Sequence, residues 1–175
     1  MLAANLYRVL GKKTHKSEFL DKDKKSNFYQ EDNITHSDSI DSTKQKLLKL
    51  DKNFSYETFL EGAKNAFNLI VSSYKKDKLV NVKDLLSPKV YEIFNKVMKN
   101  DKEKGYKNNY FKIVELKAAI LKVNIEKKIV TIKVEFLSKQ NISENDVSDI
   151  KDVWTFEKNI NDKNPNWLLI EVNSE

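Results

Sequence analysis

Hydrophobic positions become periodic only after residue 52. Phe59, Ala63, Ala66, Phe67, Ile70, Val71 and Tyr74 recur at the 3.6-residue spacing of a helix with one apolar stripe. Ser55 stands where a helix cap belongs, and Lys76 to Lys78 suit the far end of the helix dipole. Gly62 lies within this helix at a cost of about 1 kcal/mol against alanine; close approach of another element is the expected compensation. Leu79, Val80, Val82, Leu85 and Leu86 predict a short turn or helical piece packed inward. Ser87-Pro88 opens a second helix, with Ser as cap and Pro at the first helical position. Val90, Tyr91, Phe94, Val97 and Met98 share its inner face, and Gly105 is the expected terminator.

The period then changes to two. Tyr110 to Ile125 reads as one long strand or two. Val114, Leu116 and Ala118 occupy even positions, then Leu121, Val123 and Ile125 odd ones. A phase change of this kind implies a bulge or bend near Ala119. After a turn at Lys127-Lys128, Val130, Ile132, Val134 and Phe136 alternate with polar residues. Ser138 to Ser148 reads as a polar loop and Ile150 to Ile160 as a strand with Trp154 and Phe156 on one face. The turn cluster Asn161 to Asn166 follows, and Trp167 to Val172 is the last strand. Helices followed by long antiparallel strands make an α+β order. A bent sheet of about four strands wrapped against the helices would form a cone with an apolar interior.

Residues 1–52 differ. Phe19 to Asp41 is rich in Lys, Asp, Ser and Asn and reads as a flexible linker. A short helix is expected around Ser42 to Leu50, where Leu47, Leu48 and Leu50 cluster. The chain therefore divides into a basic arm and linker, 1–52, and a folded domain, 53–175. Charge is uneven within the arm: residues 1–25 carry seven basic and three acidic side chains, residues 26–52 four and five.

Composition narrows the chemistry. The formal net charge is +6, yet lysine supplies nearly all of the positive charge, and Arg8 is the sole arginine. Bidentate reading of guanine favours Arg, so the basic balance does not point to nucleic acid. With no Cys there is no disulfide framework, thiolate nucleophile or cysteine-held metal cluster. Three isolated glycines make no phosphate-binding loop. No stretch approaches the ~20 apolar residues that span a bilayer. His15 and His36 both fall in the arm, where nothing preorganises them. No metal, cofactor or nucleophile signature is present, and no enzyme activity is expected.

Two features remain open to function. Asp152 shares a strand face with Trp154 and Phe156, so it either points inward as a candidate general base or sits at a strand end, in solvent or paired with a lysine. The aromatics either fill the core or also wall an apolar ligand pocket. The pocket candidates are Phe59, Phe67, Ile70, Trp154, Phe156 and Trp167. At the other end of the chain, Leu6 to Leu10 is mostly apolar and runs straight into Lys12, Lys13 and Lys16. Arg8, Lys12, Lys13 and Lys16 are the candidates for anionic phospholipid head groups.

The string Phe59-Leu60-Glu61-Gly62-Ala63-Lys64-Asn65-Ala66-Phe67 resembles a segment of the Tim-forty-four-like domain family, named for the import-motor subunit of the mitochondrial inner-membrane translocase. Leu85-Leu86-Ser87, Asp152-Val153-Trp154-Thr155-Phe156 and Pro165-Asn166-Trp167 extend the resemblance over about residues 53–175. It implies a nuclear-transport-factor-two-like cone with a large apolar pocket. It also implies peripheral attachment to anionic inner-membrane lipid including cardiolipin, and a non-catalytic adaptor role for a DnaK-type chaperone and a translocating polypeptide. Leu6 to Thr14 is similar to a motif that follows a membrane segment in bacterial relatives, so an upstream anchor is expected or has been lost. The basic run would then place the domain on the cytoplasmic face of a bacterial inner membrane, or the matrix face in mitochondria. The alternative is a soluble module that binds a small apolar ligand or peptide in the cone; the oligomeric state is left open.

Overall fold

The computed structural model describes residues 33–104, 112–143, 146–162, 164 and 166–174. Helices come first and a four-stranded antiparallel sheet follows, the α+β order expected from the sequence.

Helix α1 spans Asn33–Leu50 and so begins within the stretch read as linker. Leu47 is only 1% exposed and joins the core, whereas Leu48 and Leu50 are exposed. Among the described side chains of the helix, Leu47 is the buried anchor, a signal that the polar sequence around it hides. The link to α2 is closed locally. The Asp51 N–H donates to the Leu47 carbonyl at 2.9 Å, and the Asn53 N–H donates to Asp51 Oδ1 at 3.1 Å. Tyr56 Oη then donates to the Lys44 carbonyl at 3.0 Å, tying the two helices together.

Helix α2, Tyr56–Lys75, is capped by Ser55, whose Oγ accepts from the Thr58 N–H. Its stripe is buried as the periodicity predicts, through Phe59, Ala63, Phe67, Ile70, Val71 and Tyr74. Asp77 (φ 57°) takes the left-handed position that ends the helix, and the Lys78 N–H closes the turn onto the Ser73 carbonyl at 2.8 Å. A 3-10 helix, Leu79–Leu85, buries Leu79 and Val82, but Val80, expected inside, is 67% exposed. A 3-10 turn of three residues brings Leu79 and Val82 onto one side and leaves Val80 on the other.

Helix α3, Pro88–Glu103, has the Ser87 cap and leading proline the sequence predicts, and buries Val90, Phe94 and Val97. Gly105, the expected terminator, lies outside the described residues. The Ser87 N–H donates to the Leu169 carbonyl at 2.9 Å and Leu86 bridges Leu169 in parallel, so the start of α3 is stitched to the edge of the sheet.

The strands run β1 (Lys112–Glu126), β2 (Ile129–Ser143), β3 (Asp146–Asn159) and β4 (Leu168–Ser174), in spatial order β1-β2-β3-β4. The expected phase change in β1 is present, with the register slipping between Ile120 and Lys122 and also between Ile113 and Glu115. The inserted residues are Leu121 and Val114, 39% and 57% exposed, so both leave the inner face to which alternation had assigned them. Of Ser138 to Ser148, expected as a loop, Ser138 to Ser143 and Asp146 to Ser148 instead continue the β2–β3 ladder. Ser138 and Gln140 keep the phase of Phe136 and are buried, and Gln140 Nε2 donates to Ser138 Oγ at 2.8 Å. That mutual bond lets polar side chains occupy positions that pattern reading reserves for apolar ones.

Ile132, Val134 and Phe136 of β2 pair across from Phe156, Trp154 and Asp152 of β3, and these inner-face apolar residues meet the α2 stripe. The outer face is laced with ion pairs. Glu115 takes both Lys117 and Lys139 at 2.8 and 3.4 Å, and Glu135 takes Lys151 at 3.1 Å. Hydrogen bonding and charge from Lys117, then from Lys139, hold the Glu115 carboxyl below the usual range.

Candidate functional site

Four pieces of chain meet around the first turns of α2 and leave a groove of about 400 Å³. The link after α1 supplies Phe54. Helix α2 supplies Phe59 and the small residues Gly62, Ala63 and Ala66. The 3-10 helix supplies Leu85, and the end of β3 with the approach to β4 supplies Phe156, Lys158, Asn166 and Trp167.

Local chemistry explains the arrangement. Phe54 precedes the Ser55 cap and lies 6.0 Å, ring to ring, from Phe59, as in a hydrophobic staple across a helix start. Trp167 is delivered by a run of Asx-type bonds. The Asn161 N–H donates to Asn159 Oδ1, the Asn164 N–H to Asp162 Oδ1 and the Asn166 N–H to Asn164 Oδ1, each at 3.0 Å. The indole then lies 4.8 Å from Phe59 and 5.9 Å from Phe54, and Phe59 meets Phe156 edge-on at 6.0 Å. The groove is therefore aromatic within. Asp51, Asn53, Ser55, Thr58, Asn166 and Lys158 add polar atoms around it.

Gly62 corrects an expectation. No second element approaches it: a Cβ added there would meet no atom within 4 Å. The residue is exposed along the groove, so its missing side chain is read as open space.

Of the six predicted pocket residues, Phe59, Phe156 and Trp167 line the groove. Phe67, Ile70 and Trp154 do not. Phe67 and Ile70 are buried two to three turns further along α2 and Trp154 on β3, where Phe67 stacks on Phe136 at 4.7 Å and meets Trp154 at 4.7 Å. Phe54, Leu85, Asn166 and Lys158 were not anticipated; the staple spacing from Phe54 to Phe59 was the available signal for the first. The four head-group candidates Arg8, Lys12, Lys13 and Lys16 lie outside the described residues.

Asp152 points to the inner face of the sheet and not into solvent. It is 6% exposed, opposite Phe136 and on the inner face with Ser138 and Gln140, away from the groove. Among the described residues no group of three or more His, Asp or Glu gathers as metal ligands would. No helix of these residues is long and apolar enough to cross a membrane.

The profile of the Tim44-like domain matches residues 41–174, well over half of the chain. The chain belongs to the Tim44-like domain family. The match begins inside α1, the helix whose Leu47 enters the core. The family is one of membrane-associated, translocation-related proteins. A search among curated proteins finds no match.

Proposed function

We propose that this Tim44-like protein is a non-catalytic adaptor at an anionic inner-membrane surface, serving protein translocation or membrane-protein quality control. Cardiolipin or another anionic phospholipid attracts the basic arm through Arg8, Lys12, Lys13 and Lys16. The groove at the start of α2 holds an apolar segment, either an acyl chain or a peptide side chain. A DnaK-type chaperone and a translocating polypeptide are the partners that the family resemblance implies.

The observation that carries the groove reading is the pairing of an aromatic wall with a glycine whose side-chain space is empty. The volume lies within the usual range of ligand pockets, roughly 300–1,000 Å³. Dodecanoate is a suitable probe. At 100 times its dissociation constant a ligand specific to the folded state adds about 2.7 kcal/mol, read as a rise in Tm. Gly62→Phe should fill the groove, keep the fold and abolish that rise. Retention of the full rise in Gly62→Phe excludes the groove as the site.

The membrane reading is tested by vesicle flotation of the full chain. Binding should require anionic lipid and weaken with salt, since exposed charges are screened within about 10 Å at 0.1 M. Replacing Arg8, Lys12, Lys13 and Lys16 by glutamine should lower binding; unchanged flotation removes the arm from the proposal. A protein that takes up dodecanoate but never floats is the soluble apolar-ligand module instead.

A further inference from the structure

The carboxyl end of α1 runs straight into Asp51, Asn53 and Phe54, which line the groove. A helix of 18 residues therefore puts Asn33, its first residue, about 27 Å from the groove. Any segment before Asn33 must cover that span to return. Residues 1–32 lie outside the described residues, but their apolar clusters are plain in the sequence: Phe28-Tyr29, Phe19-Leu20, and the apolar start, densest at Leu6-Tyr7-Arg8-Val9-Leu10.

Reach separates these clusters. The handful of residues between Tyr29 and Asn33 extend to roughly 14 Å at most, too short for the span. The dozen or so residues after Leu20 give a flexible chain an end-to-end distance of about 20 Å, and Glu18 and Asp21 flank that pair. The roughly two dozen residues between Leu10 and Asn33 give about 25–30 Å, which matches the span. At such a match a tethered segment competes at an effective concentration in the millimolar range, well above a second copy at micromolar protein. The lining holds one acid, Asp51, and one base, Lys158, so apolar contact and not charge selects the occupant.

We propose that Leu6 to Leu10 is the groove's own occupant, an autoinhibitory segment seated against Phe54, Phe59 and Trp167 until an anionic leaflet takes it. The proposal rests on the groove reading above and names its regulation. The same leucines cannot lie in the groove and in a leaflet at once. Attachment of the arm to a membrane therefore empties the groove for its ligand.

The test uses the full chain. It has no cysteine, so Asn5→Cys carries a single nitroxide beside the apolar run and leaves the run intact. Trp154 and Trp167 are its only tryptophans, and Trp154 is buried in the closed cluster. The nitroxide should quench tryptophan fluorescence relative to its reduced form, independently of protein concentration, and Trp167→Phe should remove the quenched component. Saturating dodecanoate or cardiolipin vesicles should relieve the quenching, whereas high salt alone should not. The combined variant Leu6→Ser, Val9→Ser and Leu10→Ser should abolish it and bind dodecanoate at least fivefold more tightly, because the free groove is no longer a minor population. An unquenched parent, or a serine variant with dodecanoate affinity within twofold of the parent, overturns the proposal and leaves the groove reading standing. Quenching that grows with protein concentration assigns the groove to a second copy and overturns it as well. Quenching that persists on cardiolipin vesicles overturns the release by the leaflet. Failure of both parent and serine variant to bind dodecanoate overturns the groove reading itself.

Discussion

Two aromatic clusters sit on one helical stripe. Phe67 is enclosed by Phe136 and Trp154, while Phe59, two turns earlier, stands with Phe54 and Trp167 at the wall of an open groove. The residue types are alike and the helix is the same. What differs is what lies opposite. Phe67 faces the middle of β2 and β3, where large side chains close around it. Phe59 faces the end of β3 and a turn, and its neighbours on the helix are Gly62, Ala63 and Ala66. A stripe on a helix thus tells which side points inward, not whether the space there is filled.

The largest effect should come from the closed cluster. Phe67→Ala should destabilise the protein by about 3–5 kcal/mol in urea unfolding, the range for truncating a buried aromatic. Trp167→Ala, only partly buried, should cost less than about 2 kcal/mol while removing dodecanoate binding. Equal costs would show that the groove is simply core.

An alkaline titration sharpens the same contrast. Tyr56 borders the groove end and Tyr74 the closed end of α2. Burial raises the Tyr56 phenol from 10.0 to about 12. Burial also raises Tyr74, assisted by Asp101. The folded state therefore favours the neutral phenol over the phenolate. Its stabilising contribution is complete below pH 10, where the unfolded chain also keeps its protons. It falls as pH rises from 10 towards 12 and beyond, because only the unfolded phenols ionise. Denaturation midpoints at pH 9 and 11.5 should show the loss. Tyr74→Phe should reduce it more than Tyr56→Phe; the reverse order would contradict the tighter packing of the closed end.

The smallest effect is opposite in sign. Gly62→Ala meets no atom and lies in a helix interior, so it should stabilise the protein by about 0.5–1 kcal/mol. A destabilisation measured by the same unfolding curve would mean that the groove wall closes on Gly62 in solution.

The helix stripes, both serine caps and the α+β order were legible because each is a local pattern. The phase slip expected near Ala119 in β1 was legible too; the inserted residue is Leu121, and Ile120 keeps its inward place. The ladder through Ser138 and Gln140 was not, because two polar residues that satisfy one another imitate a loop. Nor was the fate of individual aromatics. Phe59 and Phe67 have the same pattern, and only the chain crossing opposite separates groove from core. Asp152 illustrates the same limit, since alternation left open whether the strand continued far enough to bury it.

The stitching of Ser87 and Leu86 to Leu169 has a consequence for the timing of synthesis. The groove is built from residues near 54 and residues near 167, so its two walls emerge from the ribosome more than a hundred residues apart. At synthesis rates of about 5–20 residues per second, Phe54 and Phe59 wait roughly 5–20 seconds for Trp167. Throughout that interval the nascent helices carry an uncovered aromatic face. A chaperone that binds such faces would meet this protein first as a client.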